Sequence, residues 1–153
     1  MAAPATSITS LIVADIKAAL AQITTGNGYA TTLAEIVEGR LSPLETHLFP
    51  YVSLIPASDP MERAPQTARR SFDCTLHVWI DAPAAMAGDV LREAIADILE
   101  AMQVDTRRGG YADATLEGPT TAIYTVATER LRGAEIAFSI PYRTSLRSPR
   151  QAV

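Results

Sequence analysis

The chain has 153 residues, of which 48% are hydrophobic and 20% are charged, and its formal net charge is -4 at pH 7. This length and composition are typical of a globular domain with its own core, and the acidic balance argues against a dedicated nucleic-acid-binding protein. One cysteine cannot form an internal disulfide, so we expect folding in a reducing compartment. The N-terminal stretch lacks the basic start of a signal peptide, and no apolar run approaches the roughly 18 residues that a membrane-spanning helix needs.

The first half of the chain predicts a helix, an ambiguous segment and a strand. Residues 7–24 have apolar side chains at helical spacing, and Thr6 or Ser7 can cap the start of this helix. Residues 29–40 fit a short helix or an edge strand, and both alternatives stay open. Residues 50–56, PYVSLIP, predict a strand bounded by prolines.

A long polar loop, ASDPMERAPQTARR (57–70), separates this strand from the clearest pattern in the chain. Side chains in a strand alternate between its two faces, and residues 71–81 alternate between apolar and mostly polar types. One face would carry Phe72, Cys74, Leu76, Val78 and Ile80, and the other would carry Ser71, Asp73, Thr75, His77, Trp79 and Asp81.

The second half predicts a helix over residues 84–102, with a continuous apolar stripe, and strands over 121–128 and 134–143. Together the elements predict an α+β domain over residues 1–145. Its antiparallel or mixed β-sheet would have about four to five strands, with two main helices packed on one face. Residues 146–153 are polar and basic and predict a flexible C-terminal tail.

The strand at 71–81 contains a cysteine, a histidine and two aspartates, which could form a catalytic or metal site. However, Cys74 and His77 are three residues apart and would point to opposite faces, so the histidine could not activate the thiol. We therefore place Cys74 in the core. His47 is the other histidine, and its position gives no recognised zinc-ligand spacing. The sequence predicts no catalytic residue, no metal ligand and no cofactor.

The polar face of this strand and the loop before it favour an interface instead. Trp and Arg are the residues most enriched in interface hot spots, and twelve of the thirteen basic residues are arginines. Candidates are His77 and Trp79 on the strand, although Trp79 could equally cover the edge of its own core. The loop adds Arg63, Arg69 and Arg70.

The order of the elements carries a resemblance to a known family. An amphipathic helix precedes PYVSLIP and the long polar loop; RRSFDCTLHVWI, a second amphipathic helix and the closing strand AEIAFSIPYRT follow. This layout, over about residues 7–145, resembles the tail terminator (tail completion) proteins of long-tailed bacteriophages and prophages.

The resemblance implies a structural protein of the virion, made in the host cytoplasm, and not an enzyme. Such proteins form a ring, typically a hexamer, on the last ring of tail-tube subunits, end tube growth and present a surface to the head connector. The implied partners are further copies of the chain, the tail-tube protein and the head connector protein. DNA would pass through the ring without sequence-specific recognition, and no membrane is involved.

The resemblance also turns two arginine-bearing loops into expected contacts. The 56–70 loop would meet a neighbouring subunit or the tube through Arg63, Arg69 and Arg70. The 103–113 loop, with Arg107 and Arg108, would lie near another interface or the lumen. Two alternatives stay open: a head–tail connector subunit of the neck, and a small ligand-binding or hydrolase-like domain with its pocket under the 56–70 loop.

Overall fold

The computed structural model describes residues 5–39, 48–124 and 129–153, within which two helices and seven strands follow one another. In chain order they are α1 (Ile8–Ala21), β1 (Glu35–Glu38), β2 (Tyr51–Ser58), β3 (Met61–Arg63), β4 (Thr67–Asp81), α2 (Ala84–Val104), β5 (Leu116–Tyr124), β6 (Leu131–Ser145) and β7 (Ser148–Ala152).

Helix α1 begins and ends close to the predicted limits. Ser7 caps its N-terminus, because the side-chain hydroxyl accepts a hydrogen bond from the backbone N–H of Ser10. Its buried residues recur every four positions along one side of the helix: Ile8, Ile12, Ile16 and Leu20. The turn after α1 ends at Gly28, whose φ of 90° suits glycine.

The strands form one mixed sheet with the order β1-β2-β4-β6-β5. β1 runs parallel to β2, and the other pairs are antiparallel; β3 pairs with β4, and β7 pairs with β6. The centre of the sheet is the long ladder of β4 and β6, which is in register from Thr67 opposite Ser145 to Asp81 opposite Leu131.

Both helices pack on the same face of the sheet, as the sequence predicts. The even-numbered residues from Phe72 to Ile80 of β4 and from Ala134 to Tyr142 of β6 enter a core that includes Ile12 and Ile16 of α1 and Ile98 and Met102 of α2. The α+β class and the mixed sheet are confirmed. No helix in the described parts of the chain is long and apolar enough to cross a membrane.

A buried carboxylate fixes the segment before β1. Asp97 of α2 is buried, and its oxygens accept hydrogen bonds from the backbone N–H of Ala30 (3.2 Å) and from the N–H and hydroxyl of Thr31 (2.7 and 2.6 Å). These bonds fasten the chain to α2 just before β1 pairs with β2. The edge-strand alternative for residues 29–40 is therefore the one observed, over Glu35–Glu38.

The sheet has more strands than the sequence predicts, for two reasons. The 57–70 segment, predicted as a loop, contains β3 and the start of β4, with Glu62 opposite Arg69. The residues predicted as a flexible tail form β7, which pairs with the end of β6. Both segments are polar and mostly exposed, so they lack the alternation that marks a half-buried strand. The predicted 121–128 strand starts earlier, at Leu116, and its last residues, 125–128, lie outside the described parts.

Candidate functional site

The cysteine and histidine of β4 lie on opposite faces of the sheet, as their spacing predicts. Cys74 is 2% exposed in the core, and burial raises the pKa of its thiol to about 12. On the other face, Nε2 of His77 lies 3.4 Å from a carboxylate oxygen of Glu135. Burial lowers the pKa of His77, while the charge of Glu135 opposes this shift. A protonated, buried thiol without a base in reach is not a nucleophile.

Asp73, on the same face as His77, holds neighbouring strands together. Its Oδ1 accepts hydrogen bonds from the hydroxyls of Ser71 (2.7 Å) and Ser139 (2.9 Å), and its Oδ2 accepts one from Ser58 (3.1 Å). Burial favours the protonated acid, but the three serine hydrogen bonds outweigh it and lower the pKa of Asp73. Ser58 belongs to β2 and Ser139 to β6, so the carboxylate links three strands.

No group of three or more histidine, cysteine, aspartate or glutamate side chains within residues 5–39, 48–124 and 129–153 could hold a metal ion. His47 lies outside these residues.

Trp79 is not part of an accessible surface in this chain. Its side chain is 3% exposed, and its ring lies directly against Gly133 of β6, where a Cβ atom would come within 2.6 Å of Trp79 Cε3. Its partner across the β2–β4 ladder, Tyr51, is also buried and contacts the ring of Phe49. The alternation correctly gives the face of Trp79, but both faces of the sheet are covered at this end. The indole Nε1 has no hydrogen-bond partner in the part of the chain that is described.

Arg108 also departs from its predicted role, because it is fully buried. Its guanidinium donates to the backbone oxygens of Met102 and Asp105 at the end of α2 and to the hydroxyl of Thr115 (3.1 Å). Its Nη1 lies 3.2 Å from a carboxylate oxygen of Asp15 in α1. Arg108 therefore satisfies the end of α2 and joins it to α1, so it cannot contact a partner. Arg107, next to it, is exposed.

The other three predicted arginines lie together at one end of the β4–β6 ladder. Here β3, β4, β6 and β7 lie side by side, and we call residues 59–72 and 141–153 the basic arm. Arg63 and Arg69 are exposed. Trp79 lies ten residues from Arg69 along β4, about 33 Å away at the usual rise of a strand. The structure thus brings Arg63, Arg69 and Arg70 together but separates them from Trp79.

Arg70 and Tyr142 fix the base of the basic arm through one acid. The hydroxyl of Tyr142 donates to the carboxylate of Asp59 at 2.8 Å, and Nη1 of Arg70 lies 3.6 Å from the same carboxylate. Burial and then the hydrogen bond to Asp59 raise the pKa of the Tyr142 phenol. Arg70 also donates from Nε to Thr144 (3.3 Å). Part of the Arg70 guanidinium is therefore engaged within its own chain, and only the rest can contact a partner.

The basic arm carries positive charge on an otherwise acidic chain. It holds six arginines against two acids, a formal charge of +4, whereas the whole chain carries -4 and the remaining residues therefore carry -8. Two of these arginines, Arg147 and Arg150, lie in the residues predicted as a flexible tail, and Arg143 is the last residue of the predicted strand 134–143. The sequence signal for the arm was the close spacing of these three arginines.

A groove lies beside α1, next to the segment under which the ligand-binding alternative predicts a pocket. It has a volume of about 620 Å³ and is lined by residues of α1, by Pro56–Asp59 and by Phe72. Its charged lining groups include Lys17 and Glu38, which pair with each other at 2.9 Å. This groove offers a ligand no unpaired base or nucleophile pair.

Comparison with solved structures finds chains of similar fold. A chain from the virion of a native gene transfer agent (GTA) particle has a TM-score of 0.50 and 17% sequence identity, over 88% of this chain and 90% of its own length. The likeness is one of fold. The gp17 protein of bacteriophage SPP1 is matched over 87% of this chain and 86% of its own, at 15% identity and a TM-score of 0.39, which does not establish a common fold. Neither a family model nor a curated protein matches this chain.

Proposed function

We propose that this protein is a structural subunit of a phage-type virion. It forms a ring at the head-proximal end of the tail, ends the growth of the tail tube and provides the surface that joins the head connector. The observation that carries the proposal is the fold shared with a chain of the GTA virion over nearly the whole length of both. The order of elements that resembles tail terminators supports the position within the tail.

The shape and charge of the chain suit assembly into a closed ring. In such a ring each subunit presents two different, complementary surfaces to its two neighbours. The basic arm at one end of the sheet and the acidic remainder of the chain are two such surfaces. Arg63, Arg69 and the half-available Arg70 are the proposed contacts on the arm, and Arg107 is the proposed contact of the turn after α2.

The alternative of a ligand-binding or hydrolase-like domain has weaker support. Its groove contains an internal ion pair, and the thiol of β4 is buried in the core. A head–tail connector subunit would share ring assembly, and it differs from a tail terminator in what it binds. Only the terminator should bind the end of a tail tube.

The test is a tube-capping assay with the purified full-length chain. Tail-tube protein is polymerised with and without the chain, and tube length and end density are measured by electron microscopy, with the mass of the free chain measured in parallel. We expect shorter tubes with a ring at one end, and a loss of both effects when Arg69 and Arg70 are changed to glutamate. Unchanged tubes together with a stable monomer would contradict the proposal. Normal capping by the charge-reversed variant would show that the arm is not needed, while the rest of the proposal would stand.

A further inference from the structure

We infer that the basic arm of one copy binds the outer face of helix α2 of a second copy, through Arg63 and Arg147 on the arm and Glu93 and Glu100 on the helix. The inference rests on the proposed ring and identifies the two surfaces that join its subunits.

The arm carries arginines that have no acidic partner within the described parts of their own chain. The side chains of Arg63, Arg69 and Arg147 make no ion pair and no hydrogen bond with any residue in the described ranges. Arg63 is the last residue of β3, and Arg147 lies in the turn between β6 and β7, so both are near the tip of the arm. Exposed guanidinium groups are hydrogen-bond donors whose planar geometry matches that of a carboxylate.

Helix α2 carries the complementary charges. Its buried residues, including Leu91 and Ile98, face the sheet, so Glu93 and Glu100 lie on the exposed side. Neither glutamate pairs with a basic residue in the described chain, whereas Asp89 on the same helix pairs with Arg92. The outer face of α2 therefore presents two unpaired carboxylates on one rigid element.

The spacings of the two sets agree. Glu93 and Glu100 are seven residues apart, which is about 10 Å along a helix. Strands β3, β4, β6 and β7 are neighbours in that order, so Arg63 and Arg147 are separated by two to three strand spacings, about 10–14 Å. Two guanidinium groups at the tip of the arm can thus meet two successive carboxylates on the helix.

A protein carboxylate is a better partner for this arm than a nucleic acid. Two arginines of the arm already bind carboxylates of their own chain, Arg70 with Asp59 and Arg143 with Asp113. The rest of the chain carries a formal charge of -8, which would repel a nucleic acid approaching the arm. Because the arm and the outer face of α2 are different surfaces, their contact joins subunits head to tail, the arrangement from which rings are built.

The test exchanges the charges of the two surfaces. One full-length variant carries Arg63→Glu and Arg147→Glu, a second carries Glu93→Arg and Glu100→Arg, and a third carries all four substitutions. We expect each double variant to raise the dissociation constant for self-association by about tenfold or more, and the quadruple variant to recover most of the loss. A mixture of the two double variants should also recover association, because the arm of each variant then meets a helix of opposite charge on the other variant. Arg130→Glu is the control for charge reversal away from the arm: Arg130 lies at the other end of the β4–β6 ladder, where it pairs with Asp81 at 2.9 Å, and its substitution should leave self-association unchanged.

Disulfide trapping extends the test to weak association. Chains carrying Arg147→Cys and chains carrying Glu93→Cys are mixed under mild oxidation, and each is also oxidised alone. We expect cross-linked dimers in the mixture at least about tenfold more abundant than in either chain alone, since trapping captures transient contacts.

Two results would overturn the inference and leave the proposed function intact. One is that the double variants form rings as well as the wild type does. The other is that cross-linking is equal in the mixture and in the single chains. If Arg63→Glu with Arg147→Glu abolished binding of double-stranded DNA but left self-association intact, the arm would be a nucleic-acid surface and the inference would be wrong. A wild-type chain that neither associates nor caps tubes would overturn the proposed function itself.

Discussion

Arg108 and Trp79 show how single residues decide which surfaces of the chain can meet a partner. Both belong to residue types common in interfaces, and both are buried here in contacts with distant parts of the same chain. Besides the backbone oxygens at the end of α2, Arg108 contacts the side chains of Asp15 and Thr115, which lie on either side of it in sequence. No local pattern around a Gly-Gly turn shows that an arginine will fold back onto α1. The sequence could therefore give the residue type but not its environment.

Changing Arg108 to alanine should destabilise the fold. The substitution leaves the backbone oxygens of Met102 and Asp105 and the carboxylate of Asp15 without their donor, and we expect a loss of about 3 kcal/mol in the free energy of unfolding. Urea unfolding measures this loss. The neighbouring Arg107→Ala, at an exposed residue, should change the free energy by less than about 0.5 kcal/mol. Equal stabilities of the two variants would contradict the structural role of Arg108.

Two glycine substitutions should have opposite effects. A methyl group at Gly133 would lie 2.6 Å from the ring of Trp79, so Gly133→Ala should cost about 1–3 kcal/mol of stability. At Gly88 in α2 the nearest atom is the flexible end of Arg92, 3.5 Å away, and alanine is the better helix former. Gly88→Ala should therefore stabilise the protein by up to about 1 kcal/mol. Thermal unfolding of both variants would detect this difference in sign, and a stable Gly133→Ala variant would disprove the close contact with Trp79.

At the scale of elements, strands that enter the core could be predicted and polar strands could not. β4 was predictable from residue 71 onward because its apolar residues alternate up to Ile80. Its first residues and β3 are held by pairing with neighbouring strands, and their exposed side chains carry no periodic signal. The same holds for β7, which pairs with β6 at the C-terminus. Most of the basic arm consists of strands that the sequence could not show, and the rest is the start of the predicted strand 71–81 and the end of the predicted strand 134–143.

The stability of the protein should depend on pH through Asp73, which links β2, β4 and β6 on the face of the sheet opposite the helices. Its pKa is lower in the folded chain than the ordinary 3.8, so its contribution to stability is present above that pH and is lost as the pH falls through the folded-state value. Asp73→Asn removes this ionisation. We expect the wild type to be the more stable protein near neutral pH and its advantage to shrink below pH 3.8. Unfolding titrations of both proteins measure the difference, and an advantage that stays constant with pH would argue against the serine-bound carboxylate.

The base of the arm depends on the hydrogen bond from Tyr142 to Asp59. Tyr142→Phe removes only the hydroxyl and leaves the ring, so the loss should be that of a hydrogen bond to a charged acceptor, about 1.5–3 kcal/mol. Tyr111→Phe, at an exposed tyrosine, is the matched control and should be nearly neutral. Amide hydrogen exchange should be faster in β3 and the end of β6 of the Tyr142 variant alone. Equal exchange in both variants would mean that this bond does not hold the arm.

At the scale of the whole molecule, the fold and the charge distribution both favour the proposed assembly of the chain with copies of itself. A mixed sheet with both helices on one face leaves one end as a basic arm, while the acidic charge lies on the remainder of the chain. In the proposed ring, the acidic surface of each copy would neutralise the arm of the next one. This arrangement and the fold shared with a virion chain support the proposed ring at the end of a tail.

The measurement that tests this proposal most directly is the length of tails made without the protein. In a cell that produces the particles, the coding sequence is deleted, and tails and heads are measured by electron microscopy. The proposed function predicts filled heads without tails and tail tubes of abnormal, variable length, with normal particles restored by the wild-type chain. Particles with joined heads and tails of normal length in the deletion strain would contradict it.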